Sequence, residues 1–207
     1  MWSEIGEVIK AVAPVFTAGA ACFGAFIAYK GLEKWRVETV GRRRIELAED
    51  VLADFYEAQD LFRWIRSPTA HSHESEGRPG RDQDPDDLRQ HRDTFYVPFK
   101  RLSDSAEFFA RLRARRYRVI ATFGPDAASA YEDLHKVQVR IAVAAQALMR
   151  LRPGSSSERQ VMREEKLERD VWEGYGDPDE IKNIISDTIS EVEKRFRPEA
   201  SKGMAKP

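Results

Sequence analysis

Residues 11–29 read AVAPVFTAGAACFGAFIAY, nineteen consecutive positions without a charge. At roughly 1.5 Å of rise per residue, a helix of that length just crosses the hydrocarbon core of a bilayer. Trp2 lies 27 residues before Tyr29, and Trp35 follows Tyr29 by six, so aromatic side chains fall where the two membrane–water interfaces would be. The flanks set the direction. Glu4 and Glu7 precede the run with a single Lys10, whereas Lys30, Lys34, Arg36, Arg42, Arg43 and Arg44 follow it against only Glu33 and Glu38. An excess of Lys and Arg marks the cytoplasmic side, which places the N-terminus outside and residues 30–207 in the cytoplasm. A cleaved signal peptide would carry a basic leader instead. The rival reading is a core helix of a water-soluble fold, because the run is rich in alanine and contains Pro14, Gly19 and Gly24.

Small residues recur at every fourth position through Ala20, Gly24 and Ala28. Such a row lets two helices approach closely in lipid, so a homodimer through this helix is one reading; alanine-rich composition alone is the other.

Outside this run the chain is ordinary in composition. Its 207 residues suffice for one domain with a core of its own. Charged residues make up 33%, too many for a protein with several membrane spans and, beside 42% hydrophobic residues, too few for disorder. Of 34 basic and 35 acidic residues, only Lys10, Glu4 and Glu7 precede Lys30, so the remainder balances. That balance argues against nucleic acid as a partner. Cys22 is the only cysteine, which leaves no disulfide framework and no thiolate metal site.

From Leu32 to Arg66 the apolar residues Ile45, Ala48, Leu52, Phe55, Ala58 and Phe62 recur at helical steps, predicting one long helix. Glu46, Glu49, Asp50, Glu57 and Asp60 share a stripe on it. Residues 67–87 hold three prolines and two glycines among polar side chains and predict a mobile loop. A helix over Leu88–Phe123 should kink or divide at Pro98, with Phe108, Phe109, Leu112, Val119, Ile120 and Phe123 on one face. Gly124-Pro125-Asp126 stops one helix and starts the next. Within that next helix IAVAAQALM, residues 141–149, reads as a central bundle element. A charged helix over residues 158–173 follows, then a last helix capped by Asp177 with Pro178 at its first position, and a disordered tail from Arg197. The expected fold is therefore all-α: a transmembrane helix over residues 1–30, a cytoplasmic bundle of four to five helices over residues 31–196, and a tail over residues 197–207.

Arg111, Arg115 and Arg118 line one stripe of their helix, which predicts pairing with the acidic stripe of the preceding long helix, within this chain or across a homodimer; a surface for anionic lipid or a partner is the second reading and nucleic acid the third. Asp54 and Arg116 both project into apolar arcs. An unpaired buried charge costs several kcal/mol, so an Asp54–Arg116 pair between helices is expected.

No nucleotide, nucleophile-elbow or zincin motif is present, and no cofactor is implied. His71, His73 and His91 are the only metal-ligand candidates, and the first two sit in a polar loop without a rigid partner cluster. His135 borders an apolar face.

The sequence Tyr29-Lys-Gly-Leu-Glu-Lys-Trp-Arg36 after a short span, followed by a Glu-rich helix ending in Phe62-Arg-Trp-Ile-Arg66, resembles uncharacterised bacterial inner-membrane proteins with one N-terminal transmembrane helix. That resemblance covers the N-terminal third and implies a bacterial inner-membrane location but no activity. Three functions fit these observations: a membrane-tethered interaction scaffold with a cytoplasmic protein partner, a metal-dependent enzyme using the loop histidines, and a sensor of anionic lipid.

Overall fold

The computed structural model describes residues 2–203 apart from 72, 153, 155 and 156, with side chains from Phe23 onward. Among the described residues the chain is all-α, with seven helices and no strand. It divides into two compact units, Met1–Glu46 and Leu47–Pro207.

Helix α1 runs from Trp2 to Ile65 without a break at Gly31 or Gly41. Within the first unit its large apolar side chains from Phe23 to Val40 are exposed: Phe23, Phe26, Ile27, Tyr29, Leu32, Trp35, Val37 and Val40 each show more than half of their surface to solvent. Trp2, Ala20 and residues 11–22 of the uncharged run lie outside the described side chains. Among the described residues no helix is long and apolar enough to cross a membrane.

The second unit begins where α1 acquires a core face. Ala48, Val51, Phe55, Ala58, Phe62 and Ile65 are spaced three or four apart, and all are buried together with Leu47, as the periodicity of Ala48, Phe55, Ala58 and Phe62 predicts. Helices α2 (His73–Glu76), α3 (Asp86–Asp104), α4 (Ala106–Phe123), α5 (Ser129–Arg150), α6 (Glu158–Val171) and α7 (Glu180–Ser201) complete it. α5 is central, packing against α3, α4, α6 and α7. Its inner face carries Ile141, Ala144, Ala145 and Leu148, all buried. Val143, on the opposite face of the same uncharged run, is 58% exposed. The main core joins α1, α4, α5 and α7, and a second cluster gathers Phe95, Leu148, Val171 and Trp172. Phe55 meets Tyr131 edge-on at 4.9 Å between centroids, the geometry that the aromatic quadrupole favours.

Three boundary expectations need correction. α3 continues through Pro98, because that proline is buried together with Val97, Arg101 and Leu102; packing outweighs the local penalty of roughly 3 kcal/mol. The division falls instead at Ser105, whose Oγ donates to the Arg101 carbonyl at 2.7 Å and competes with the helical ladder. α7 likewise runs through Pro198 to Ser201, with Ala200 in the core, so residues 197–201 are helix rather than tail. Its N-cap is Asp179, which accepts from the Lys182 N–H at 3.0 Å, and not Asp177. The side chain that can reach the third N–H of the helix decides the cap.

The segment expected to be a mobile loop is tied down. Gly80 turns the chain at φ 76°, and a short 3-10 turn follows over Arg81–Gln83. Arg78 Nε donates to Asp93 at 2.9 Å and Arg81 Nε to the other oxygen of Asp93 at 2.9 Å. Arg78 and Arg92 both pair with Asp84.

Candidate functional site

The histidines do not assemble. His71 and His73 stack on each other at 5.6 Å between ring centroids, both exposed. His91 is elsewhere, its Nε2 2.8 Å from the Leu148 carbonyl and its ring against Phe95. No group of three or more His, Cys, Asp or Glu side chains converges among the described residues. His71, His73 and His91 thus form no common cluster.

The arginine and acidic stripes meet as expected. Arg111 Nη2 lies 2.9 Å from Glu57, and Arg115 reaches both Asp50 and Asp54 at 3.0 Å. Asp54 is buried, but its cation is Arg115, not Arg116. Arg116 turns the other way and pairs with Glu132 of α5 at 2.5 Å. Adjacent residues on a helix point about 100° apart, so one step around α4 changes which helix a guanidinium faces. Burial pushes the Asp54 carboxyl above its ordinary value, against the opposing pull of Arg115 and Arg111. Its Oδ2 makes an ion pair rather than an aligned hydrogen bond, and among the described residues the Tyr131 hydroxyl has no hydrogen-bond partner either. Burial, followed by the nearby Asp54 charge, raises the Tyr131 phenol.

Two buried arginines were not legible as structural anchors. Arg101 of α3 donates to the backbone carbonyls of Trp64, Ser67 and Thr69 at 2.7, 3.0 and 2.7 Å and grips Glu74 through two nitrogens. Its guanidinium also lies 5.1 Å from the Trp64 ring. Arg66, at the end of α1, donates to the carbonyls of Arg169 and Trp172 at 2.9 Å and to Asp179 at 3.0 Å. Both satisfy carbonyls that a chain leaving a helix exposes. Burial pushes the Asp179 carboxyl up, but the N–H groups of Lys182 and Gly174 with the Arg66 guanidinium hold it below its usual value.

On the surface of the second unit, a groove of about 350 Å³ is lined by Arg140, Lys166 and Arg169 and by Glu165, Asp170, Asp177 and Glu180. Its charges largely cancel, since Arg140 is bound to Asp170 at 2.6 Å and to Glu180 at 2.8 Å. Beside it Val139, Val143, Ala144 and Leu167 line an apolar trough of about 440 Å³.

The most unusual surface is in the first unit. From Phe23 to Tyr29 every residue is uncharged and exposed, on all sides of the helix. Gly24 and Ala28 are on it, and a Cβ at Gly24 would meet nothing within 4 Å. Lys30 follows, its Nζ 5.1 Å from the Phe26 ring, then Lys34, Arg36, Arg42, Arg43 and Arg44. Lys34 lies 4.0 Å from Glu38 and both remain open to solvent, so that contact neutralises little. A helix apolar all round belongs in a core or in lipid, and this one abruptly becomes basic. No protein-family model, curated protein or solved structure matches the chain, so the reading of this surface rests on its own chemistry.

Proposed function

We propose that this is a membrane-tethered helical scaffold: residues 1–30 insert into the bacterial inner membrane, and the bundle offers its charged surface to cytoplasmic proteins. One observation carries the reading. Phe23, Phe26 and Ile27 stand exposed on an all-round apolar stretch of α1. Leaving each such side chain in water forgoes roughly 1.5–3 kcal/mol. The stretch continues without a charge into residues 11–22, and the basic residues after Tyr29 fit a cytoplasmic flank.

The test is alkaline carbonate extraction of membranes from cells producing the full chain. Retention in the membrane pellet is expected for the native sequence, and release is expected for the variant with Phe23→Arg and Ile27→Arg together. Native protein found wholly in the soluble fraction would overturn the reading.

A further inference from the structure

The basic flank that orients the tether also has a chemistry of its own. Residues 30–44 hold six basic and two acidic side chains, while the chain beyond them holds 27 basic against 31 acidic. From this juxtaposition we infer that residues 30–36 form a cationic collar that recruits anionic phospholipid headgroups, with Arg42 and Arg43 as a weaker outer ring. This rests on the tether reading and adds a lipid partner to it.

The inference stands on placement and exposure. Lys30, Lys34 and Arg36 all lie within seven residues of Tyr29, and each is exposed. At 1.5 Å per residue they span about 9 Å along the helix, about the depth over which an anionic surface is felt at physiological salt. Arg42 and Arg43 are a further 9 Å or so along the helix, near the limit of that field. Tyr29 just before the collar and Trp35 within it, both exposed, are side chains of the kind that prefer the headgroup level. Lys and Arg also have long apolar stems that can lie along the hydrocarbon boundary while the charge reaches a phosphate. The charge complementarity is specific in sign: a zwitterionic surface offers no net attraction to these cations, whereas phosphatidylglycerol or another anionic lipid does.

Full-length protein reconstituted into phosphatidylcholine vesicles, with roughly a third of the lipid replaced by phosphatidylglycerol, provides the test. Bromine is placed on the tails of one lipid or the other, and Trp35 quenching is isolated by subtracting the Trp35→Phe variant. Brominated phosphatidylglycerol should quench Trp35 about two- to threefold more per mole than brominated phosphatidylcholine, and the preference should shrink as salt is raised. Replacing Lys30, Lys34 and Arg36 together by Gln should remove most of the preference while Trp35 is still quenched. The Arg42→Gln, Arg43→Gln pair should reduce it less. Equal quenching by the two lipids in the native protein overturns the collar and leaves the tether standing, as does a preference undiminished by loss of Lys30, Lys34 and Arg36. No quenching by either lipid, with no flotation of the protein, removes the tether and the collar with it.

Discussion

The Arg101 guanidinium meets the Glu74 carboxylate through two nitrogens, Nε to Oε2 at 2.6 Å and Nη2 to Oε1 at 2.9 Å. One side chain of α3 thereby fixes the segment that leaves α1, since the same guanidinium also holds the carbonyls of Trp64, Ser67 and Thr69. Removing it strands one carboxylate and three carbonyls. Arg101→Met should destabilise the bundle by roughly 3–5 kcal/mol in urea unfolding, and Arg101→Lys should recover little, because an ammonium cannot form the two-nitrogen grip. A loss under about 1 kcal/mol for Arg101→Met would mean that the segment is not held this way.

The same pair gives the fold an acid dependence. The Arg101 hydrogen bonds hold the Glu74 carboxyl down to about 2 against the upward push of burial, with the His71 N–H helping. A carboxyl depressed in the folded state stabilises the protein above its unfolded value, and that stability is lost as pH falls through the folded one. Unfolding free energy should therefore decline between the ordinary value of 4.5 and about 2, with a shallower decline in Glu74→Gln. Identical acid limbs for the two proteins in denaturant titrations would refute it.

Asp54 behaves in the opposite sense. Burial raises its carboxyl above the ordinary value, so its contribution is present below the unfolded value and is lost as pH rises through the folded one. At neutral pH Asp54→Asn should then be close to neutral, within about 1 kcal/mol. Arg115→Met, which leaves the carboxylate buried without its cation, should cost about 2 kcal/mol or more.

The identity of that cation can be read separately from the stability of each variant. A double-mutant cycle between Asp54 and Arg115 should give a coupling above about 0.5 kcal/mol, whereas the cycle between Asp54 and Arg116 should be near zero. Coupling to Arg116 instead would reverse the pairing seen here at 3.0 Å.

Core and surface positions of similar chemistry should separate cleanly. Phe55→Ala empties a fully buried site against Tyr131 and should cost roughly 3–5 kcal/mol. Val143→Ala, at a site 58% exposed on α5, should change stability by less than about 0.5 kcal/mol. Comparable losses at both positions, measured by thermal or urea unfolding, would contradict the placement of α5.

The sequence by itself determined the helices and their inward faces. Phe55 and Phe62 on α1, Phe109 and Leu112 on α4, and Ile181 and Ile189 on α7 follow a period that only one helical face can bury, and that period is local information. It also determined that the arginine stripe of α4 would meet the acids of α1, because charges of opposite sign lay on complementary stripes. The apolar-to-basic switch at Tyr29–Lys30 was equally plain, being a change in composition along the chain.

Tertiary structure alone decided the rest, because the energies involved come from groups far apart in sequence. A polar segment such as residues 67–87 lacks apolar anchors and reads as loose; its order comes from charged partners on α3, Asp93 and Arg92 for its second half and, for its first, Arg101, more than thirty residues beyond the Ser67 and Thr69 carbonyls it holds. Pro98 and Pro198 stayed within helices since packing around Arg101 and Ala200 outweighed a local penalty. Arg115 rather than Arg116 took Asp54 because helix rotation within the bundle, set by the whole core, chose which of two adjacent guanidinium groups faced α1. Periodicity specifies which face is buried, but the partner on the other side is fixed only when the helices pack.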